Sequence, residues 1–572
     1  MAKKRGCERQ TPAEAKAKRQ RLVEVRSTMP FASMTALAAI VTLASKETLP
    51  PAQRATITKG YNELVKTETP YGAIHQMVGF PTDGDGGLCI DLEIQHPQSM
   101  LWHAGRVSQT LSDLIKRSLA AKPCSYAEPW NAILYNDEIS PGNQLAFKNS
   151  RKLQGIYWTL LEFGCTAHLQ EESWFEVMIV RSVLCKGIYG GISGVIRTLV
   201  QTIFWGATHN LQRAGIHLDL HDGTAVHLFV RFGMLLADEA ALHAIYGFAG
   251  ASGLKSCPLC RNVYAVGNKR GIKERAGRVL HSCGDFSKVR LWTAEDLFKG
   301  LDALEREFGS RSKAAFEKLE TAFGWKRHPG SCMADPAVRE AMCPMQTLSF
   351  DWAHGIFVNG CFQKHAGLLL RFLHKKGPSF ERLAEYCGRW KWPRRTSYQN
   401  GVKALTGSRA KASFKDKVLK TTASEGLGLL PVLAHFCLKG LCQHKNTRVR
   451  QHGRCLVLLW KIVRFILEAN SPDHELKPYD LLLLVQEYMA LFAVLYGITA
   501  MVPKFHWLLH YPGFLERWGS LPGCLALERK HRVPKSFADP INNTRNKMEV
   551  AVLRAVSARP RAEALRLVKN GG

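Results

Sequence analysis

Acidic residues are the scarce class in this sequence. Only 48 Asp and Glu stand against 78 Lys and Arg, giving a formal charge of +30 and a pI near 9.6. That deficit leaves polyanions as the favoured partners, nucleic acid ahead of an anionic membrane. Long apolar runs are also missing: no stretch of about 18 uninterrupted apolar residues occurs, so no transmembrane span is expected. The nearest, LLLLVQEYMALFAVLYGITAMV (481–502), contains Gln486 and Glu487 and reads as a buried helix. The opening MAKKRGCERQ lacks the apolar core of a secretory signal. In that light the 16 cysteines point to free thiols and metal ligation in a reducing compartment, not to a disulfide framework. No internal repeat is evident, and no helix-turn-helix or complete zinc finger precedes residue 130.

What is present suffices for two to four domains: 572 residues, 46% of them hydrophobic, with 13 Trp and 26 Phe for a sizeable core. Residues 1–60 form a basic, partly disordered arm carrying Lys3, Lys4, Arg5, Arg9, Lys16, Lys18, Arg19 and Arg21. It suits a nuclear-import signal or a phosphate-binding tail, and equally a plain solvated tail. Residues 61–128 have no clear fold signal. From 129 to 255 strand-like and helical patterns alternate. NAILYN (131–136), IYWTLLEF (156–163) and WFEVMIVRSVL (174–184) read as strands, and 190–213 as a helix. VHLFVRFGMLLAD (226–238) has the continuous apolar character of a strand buried on both faces, and EAALHAIYGFAG continues as helix. Residues 256–290 hold a Cys/His segment, 291–500 read as a large α-helical insertion, 501–545 return to the core, and 546–572 form a tail.

Two of the apolar runs end on an acid, Asp137 and Asp238. If those strands are parallel neighbours, both carboxylates emerge at the carboxyl edge of one sheet, where open α/β sheets bind ligands. Paired carboxylates repel unless a cation lies between them, and two Mg²⁺ ions about 3.5–4 Å apart support phosphodiester chemistry. An Asp at a strand end is also a good cap or turn residue, so each position has a purely structural alternative. Glu528, in CLALERKHR, is the candidate third acid, beside the cations Arg529, Lys530 and Arg532. Its alternative is an ordinary helix-surface ion pair.

The ordered landmarks YNDEISPGN, LLADEAALHAIYGFAGASGLKSCPLC, DWAHGIFVNG and PKFHWLLHYP…ERWG…ERKHR, spread over roughly 130–535, resemble those of eukaryotic cut-and-paste transposases. The group is the CACTA (En/Spm)-like one, including its Plavaka and KDZ relatives. The resemblance implies an α/β chain: a ribonuclease-H-like mixed sheet core interrupted by a large all-α insertion. It also implies a DDE triad of Asp137, Asp238 and Glu528 holding two Mg²⁺ (or Mn²⁺) ions. Asp351 and His354 would match the family's D-x-x-H motif, read here as holding the insertion against the core, not as catalytic. Double-stranded DNA, as transposon ends and target, is the implied partner and the nucleus the implied location. No membrane is expected, and self-association into a homo-oligomer stays open.

KSCPLCRNV places Cys257 and Cys260 at zinc-knuckle spacing. His281 and Cys283 are the expected second pair for a structural Zn²⁺, with buried reduced thiols as the alternative. His506 and His510, one helical turn apart beside Trp507, read as a core-facing aromatic stripe in preference to metal ligation. For DNA contact, Trp390, Lys391, Arg394 and Arg395 interleave rings with cations, while Lys148, Arg151 and Lys152 follow the first acid closely.

Overall fold

A computed structural model describes residues 66–141, 151–250, 253–266, 275, 277–376, 380–392, 397–472, 474–541 and 548–557. The basic arm, Lys148, Arg394, Arg395 and the end of the tail lie outside the described residues. Five segments rich in β-branched and aromatic side chains make one mixed sheet: β1 Trp130–Ile139, β2 Leu153–Leu160, β3 Phe175–Arg181, β4 Val230–Ala237 and β5 Leu348–Phe350. Their spatial order is β5-β4-β1-β2-β3. β1, β2 and β3 form an antiparallel meander, and β4 and β5 run parallel to β1. The parallel strand β4 is buried almost throughout, which is why its sequence is continuously apolar.

Register does the decisive work. Val230 faces Trp130, but Leu236 faces Tyr135, because the pairing slips by one residue between Phe232 and Met234. Gly233 sits at the slip, where a Cβ would lie 2.4 Å from the Asn131 Cβ, so a bare backbone is needed. Carried onward, the shifted register brings Asp238 level with Asp137. On the other side of β4, Ala237 faces Phe350, which brings Asp351 level with Asp238. Three acids thus stand side by side at the carboxyl ends of three parallel strands.

The expected strand 226–238 divides at Phe229. Ala225–Leu228 pairs with Ile216–Asp219 in a separate hairpin, and only Val230 onward enters the sheet. α1, Gly191–Trp205, is shorter than the expected 190–213 and stops where Gly206 leaves helical geometry. α2, Glu239–Tyr246, is closed by Gly247 in the left-handed conformation at φ 72°.

The expectation of an all-α segment over 291–500 needs correction, since β5 lies inside it and is an edge strand of the sheet. Its sequence, three residues long, is too short to show a period. Past β5 the chain is helical: α3 Trp352–Phe357, α4 Cys361–Lys376, α5 Ala423–Lys439, α6 Thr447–Ala469 and α7 Pro478–Tyr496. α5, with the turn that follows it, and α7 are long and apolar enough to cross a membrane by length and composition. α5 is mostly buried. α7 buries Leu481, Val485, Tyr488, Met489 and Phe492 but leaves Leu483 and Val494 exposed, so it is a one-sided helix and not the buried one expected. A helical run follows, Lys504–Trp507, Leu508–His510 and Tyr511–Trp518, and then α8, Leu525–Lys530. The helical residues 548–557 close a small apolar cluster of Ile139, Leu153, Ile179, Met548, Val552 and Leu553 against the ends of β1–β3.

Candidate active site and metal centres

Asp137 lies on the last turn of the pleat in β1, held from below by the Tyr135 hydroxyl, which donates to its Oδ2 at 3.0 Å, and by the Glu138 N–H at 2.7 Å from Oδ1. Asp238 is the N-cap of α2, accepting from the Ala241 N–H at 2.8 Å. The capping role weighed from the sequence is therefore real, and it fixes the carboxylate at the strand tip. Glu528 comes from α8, about 290 residues after Asp238 in sequence, and its carboxylate, that of Asp137 and the His531 ring offer ligand atoms within 4.8 Å of one another. Asp137 and Glu528 thus converge, and Asp238 stands level with Asp137 on the neighbouring strand, near enough for its charge to act on both.

Their mutual charge is legible in their titration. Burial, then the charges of Glu528 and Asp238, push the Asp137 carboxyl up to about 7. Burial, with Asp351 and Asp238 nearby, raises Glu528 in the same direction against the pull of His354. Both side chains nevertheless reach solvent, at 22% and 42% exposure. An open nest of repelling carboxylates is the chemistry that a hard divalent cation relieves.

Asp351 and His354 belong to this edge. Asp351 is fully buried and accepts from the backbone N–H groups of Ala353, His354 and Cys524 and from the His354 ring at 2.6 Å. The Cys524 thiol also lies 3.0 Å from it. Burial opposes the charge, but the His354 hydrogen bond and the other donors hold Asp351 below the usual carboxylate range. Burial likewise opposes a charged His354, yet the Asp351 bond and the charges of Asp351, Asp238 and Glu528 keep it up at about 9. Its Nε2 stands 3.5 Å from Glu528 Oε1. A cationic imidazolium, anchored from behind by a buried carboxylate, therefore faces the third acid.

His531 read from sequence only as one of the basic neighbours of Glu528, with no role of its own. It is buried between Tyr135 and Tyr157, 3.8 Å from Asp137, and burial pushes its pKa down to about 3, so it is neutral.

A second cluster has different chemistry. Cys257, Cys260, His506 and His510 converge with all four ligand atoms within 4.8 Å, and all four residues are buried. Cys260 Sγ lies 3.2 Å from His506 Nε2 and 3.4 Å from His510 Nε2, Cys257 Sγ lies 3.4 Å from His510 Nε2, and the two imidazole nitrogens are 3.1 Å apart. Burial opposes ionisation, but the Cys260 hydrogen bond and the two imidazoles pull Cys257 toward thiolate, and that charge keeps Cys260 protonated. The group could hold a metal ion.

This overturns the expected pairing. His281 has both ring nitrogens engaged, one accepting from the Val266 N–H and the other 2.9 Å from the Met501 carbonyl, so it has no lone pair left for a metal. Cys283 turns toward the Asp285 carbonyl. The His506–His510 spacing was the usable signal. The aromatic stripe is also real, with Phe350 stacked on Trp507 at 4.4 Å, but the imidazoles reach past it to the thiols.

Compared with family models and with curated proteins, the sequence returns no match.

Of the expected DNA contacts, most described cations face protein. Arg151 donates to the carbonyls of Ala538 and Asp539, and Lys152 pairs with Glu138 at 2.6 Å. Arg529 and Arg532 reach Glu171, and Lys530 reaches Glu176 at 3.0 Å. These last three tie α8 and the residues just after it to Glu171, before β3, and to Glu176 within β3, and so set where Glu528 sits. Lys391 is exposed, and Trp390, 37% exposed, packs its edge on Tyr386 and His435.

Proposed function

We propose that this chain is a DDE-type DNA transposase of the CACTA-like group, cleaving phosphodiesters at transposon ends and joining them to target DNA in the nucleus. The observation that carries the reading is the convergence of Asp137 and Glu528 at the carboxyl edge of the sheet, with Asp238 level with Asp137 on the next strand and close enough for its charge to act on both. The strand order β3-β2-β1-β4-β5, with an antiparallel meander and two parallel strands, supports a ribonuclease-H-like core.

Asp137, Asp238 and Glu528 would hold two Mg²⁺ (or Mn²⁺) ions, which when bound activate the attacking oxygen and stabilise the leaving one. Tyr135 fixes the rotamer of Asp137, and the α2 cap fixes that of Asp238. His354, held by Asp351, positions Glu528 and offsets charge between it and its neighbours. His531, neutral, excludes water behind Asp137.

The Cys257–Cys260–His506–His510 group fits Zn²⁺. A tetrahedral ion bound by two thiolates and two imidazoles needs ligand separations of about 3.3–3.8 Å, and the observed 3.1–3.4 Å lies close to that. With four protein ligands and no exposed edge, such a site is structural. It would clamp the segment after Asp238 to the helical run before Glu528.

The test is a strand-transfer assay with Mg²⁺ and a labelled DNA end. Joined product supports the transposase. Nicking without joining would mark a nuclease on the same scaffold, and DNA binding without cleavage a co-opted DNA-binding protein.

A further inference from the structure

Lys255 is 7% exposed, and among the described residues no carboxylate pairs with its ammonium. Its Nζ lies over rings, 4.4 Å from the centroid of Trp292 and 6.0 Å from that of Phe323, and the nearby Arg261 guanidinium adds like charge. A buried cation ordinarily recruits an anion, because desolvation is costly without one. Lys255 instead opens onto a basin of about 420 Å³, lined further by Arg261, Asn262, Tyr264, Arg278, Arg290 and Trp292. Of the lining cations, Arg261 pairs with Asp296 at 3.0 Å.

The walls are preformed. The Arg261 N–H donates to the Arg290 carbonyl, the Trp292 N–H to the Leu259 carbonyl, and the Arg290 N–H to Asn262 Oδ1, all at 2.8–2.9 Å. Gly277 borders it in the left-handed conformation, with nothing within 4 Å of where a Cβ would stand, so a backbone can approach there. Four cations with two half-exposed rings suit a strand that lays phosphates on the cations and bases on the ring faces. A free phosphate needs the cations alone.

We propose that this basin binds phosphodiesters of a DNA strand, outside the carboxylate centre. The proposal deepens the transposase reading and rests on it. It also explains where contact with DNA is made when Arg151, Lys152, Arg529, Lys530 and Arg532 are engaged by protein groups.

The experiment is fluorescence anisotropy of a labelled 30-nucleotide single strand and of its duplex, titrated with the full chain at several salt concentrations. Two variants are compared with the parent. Lys255→Met keeps the apolar stem over Trp292, and Arg278→Gln with Arg290→Gln changes exposed side chains only and leaves the fold intact. Each variant is expected to bind about 10-fold more weakly, with the log–log salt slope shallower by roughly 1–2, as loss of one or two phosphate contacts requires. If the parent binds and both variants match it in affinity and slope, the basin is not a DNA site and the transposase reading stands. If the parent fails to bind either DNA, the transposase reading falls and this proposal with it. If inorganic phosphate at matched ionic strength displaces the strand as well as an equal concentration of oligonucleotide phosphate does, the site takes free phosphate and the strand assignment is overturned.

Discussion

Two groups of ligand-type side chains are assembled in one molecule on opposite terms with water. The carboxylates of Asp137 and Glu528 stay partly open to solvent and carry raised pKa values, because burial and the charges of neighbouring acids outweigh the pull of the His354 imidazolium. The thiols of Cys257 and Cys260 and the rings of His506 and His510 are sealed and supply a full tetrahedral set. A closed four-ligand site has no position for substrate, whereas an oxygen-only, open site leaves room for water and phosphate. The contrast separates a centre suited to the proposed chemistry from one suited to holding the chain in place, and each reading predicts its own failure.

The largest expected effect falls on the open centre. Asp137→Ala, Asp238→Asn or Glu528→Ala should each abolish cleavage and joining, while DNA affinity changes by less than about 3-fold, since most binding energy comes from cations elsewhere. Asn at 238 retains the side-chain oxygen that caps α2, so the loss there reports charge and not helix stability. Anisotropy and strand-transfer assays on the same preparations check this. Full metal-dependent cleavage by Asp137→Ala would remove that residue from the site.

The closed centre should fail differently. Elemental analysis is expected to find one zinc per chain, released by Cys260→Ser or His510→Ala. Because apparent free energies of structural zinc reach about 10–16 kcal/mol, its loss should lower the melting temperature steeply and take cleavage with it, through the displaced helical run before Glu528. His281→Ala should leave zinc content unchanged. If His281→Ala rather than His510→Ala releases the ion, the ligand assignment is wrong.

How far the sequence revealed these two centres depends on what each residue needed. Asp137 and Asp238 were visible because each ends an apolar run long enough to show strand character. Asp351 ends one too, LSFD, but three residues are too few to stand out inside a helical stretch, and β5 went unread. The Cys-x-x-Cys half of the metal site was plain, while its partners lie about 250 residues away, and only the fold pairs HWLLH with it. The one-residue slip that aligns the acids is marked in sequence only by Gly233 inside an apolar run, which signals a bulge but not which partner residues it realigns. Cationic neighbours of Glu528 looked like DNA contacts because sequence cannot show Glu171 and Glu176 waiting across the gap.

A smaller effect tests what supports the open centre. His354→Ala should reduce cleavage by about 10–100-fold, the usual cost of losing a group that orients a metal ligand, with zinc content and DNA affinity unaltered. His354→Gln, which keeps a donor toward Glu528, should recover part of the rate. A purely packing role would instead lower the melting temperature and leave the turnover of folded protein intact.

The smallest effect lies far from both centres and serves as their control. Glu93 is buried on the Cys89–Gln95 strand, bonded to His75 at 2.9 Å and to Arg554 of the helical residues 548–557 at 2.6 Å. Burial alone would raise its carboxyl, but those bonds hold it down at about 2. A carboxylate whose folded pKa is depressed stabilises the protein above its unfolded value of 4.5, and that stability fades as pH falls toward 2. Glu93→Gln should therefore cost about 3 kcal/mol at pH 7, and the parent and variant should converge in stability between pH 4.5 and 2. Chemical unfolding across that range measures it. Zinc content and cleavage at pH 7 should stay unchanged, because Arg554 and its helix touch neither ligand set. Were cleavage to fall with Glu93→Gln, the small cluster of Met548, Val552 and Leu553 against Ile139 would be transmitting strain to Asp137 two residues away, and the separation drawn between scaffold and chemistry would narrow.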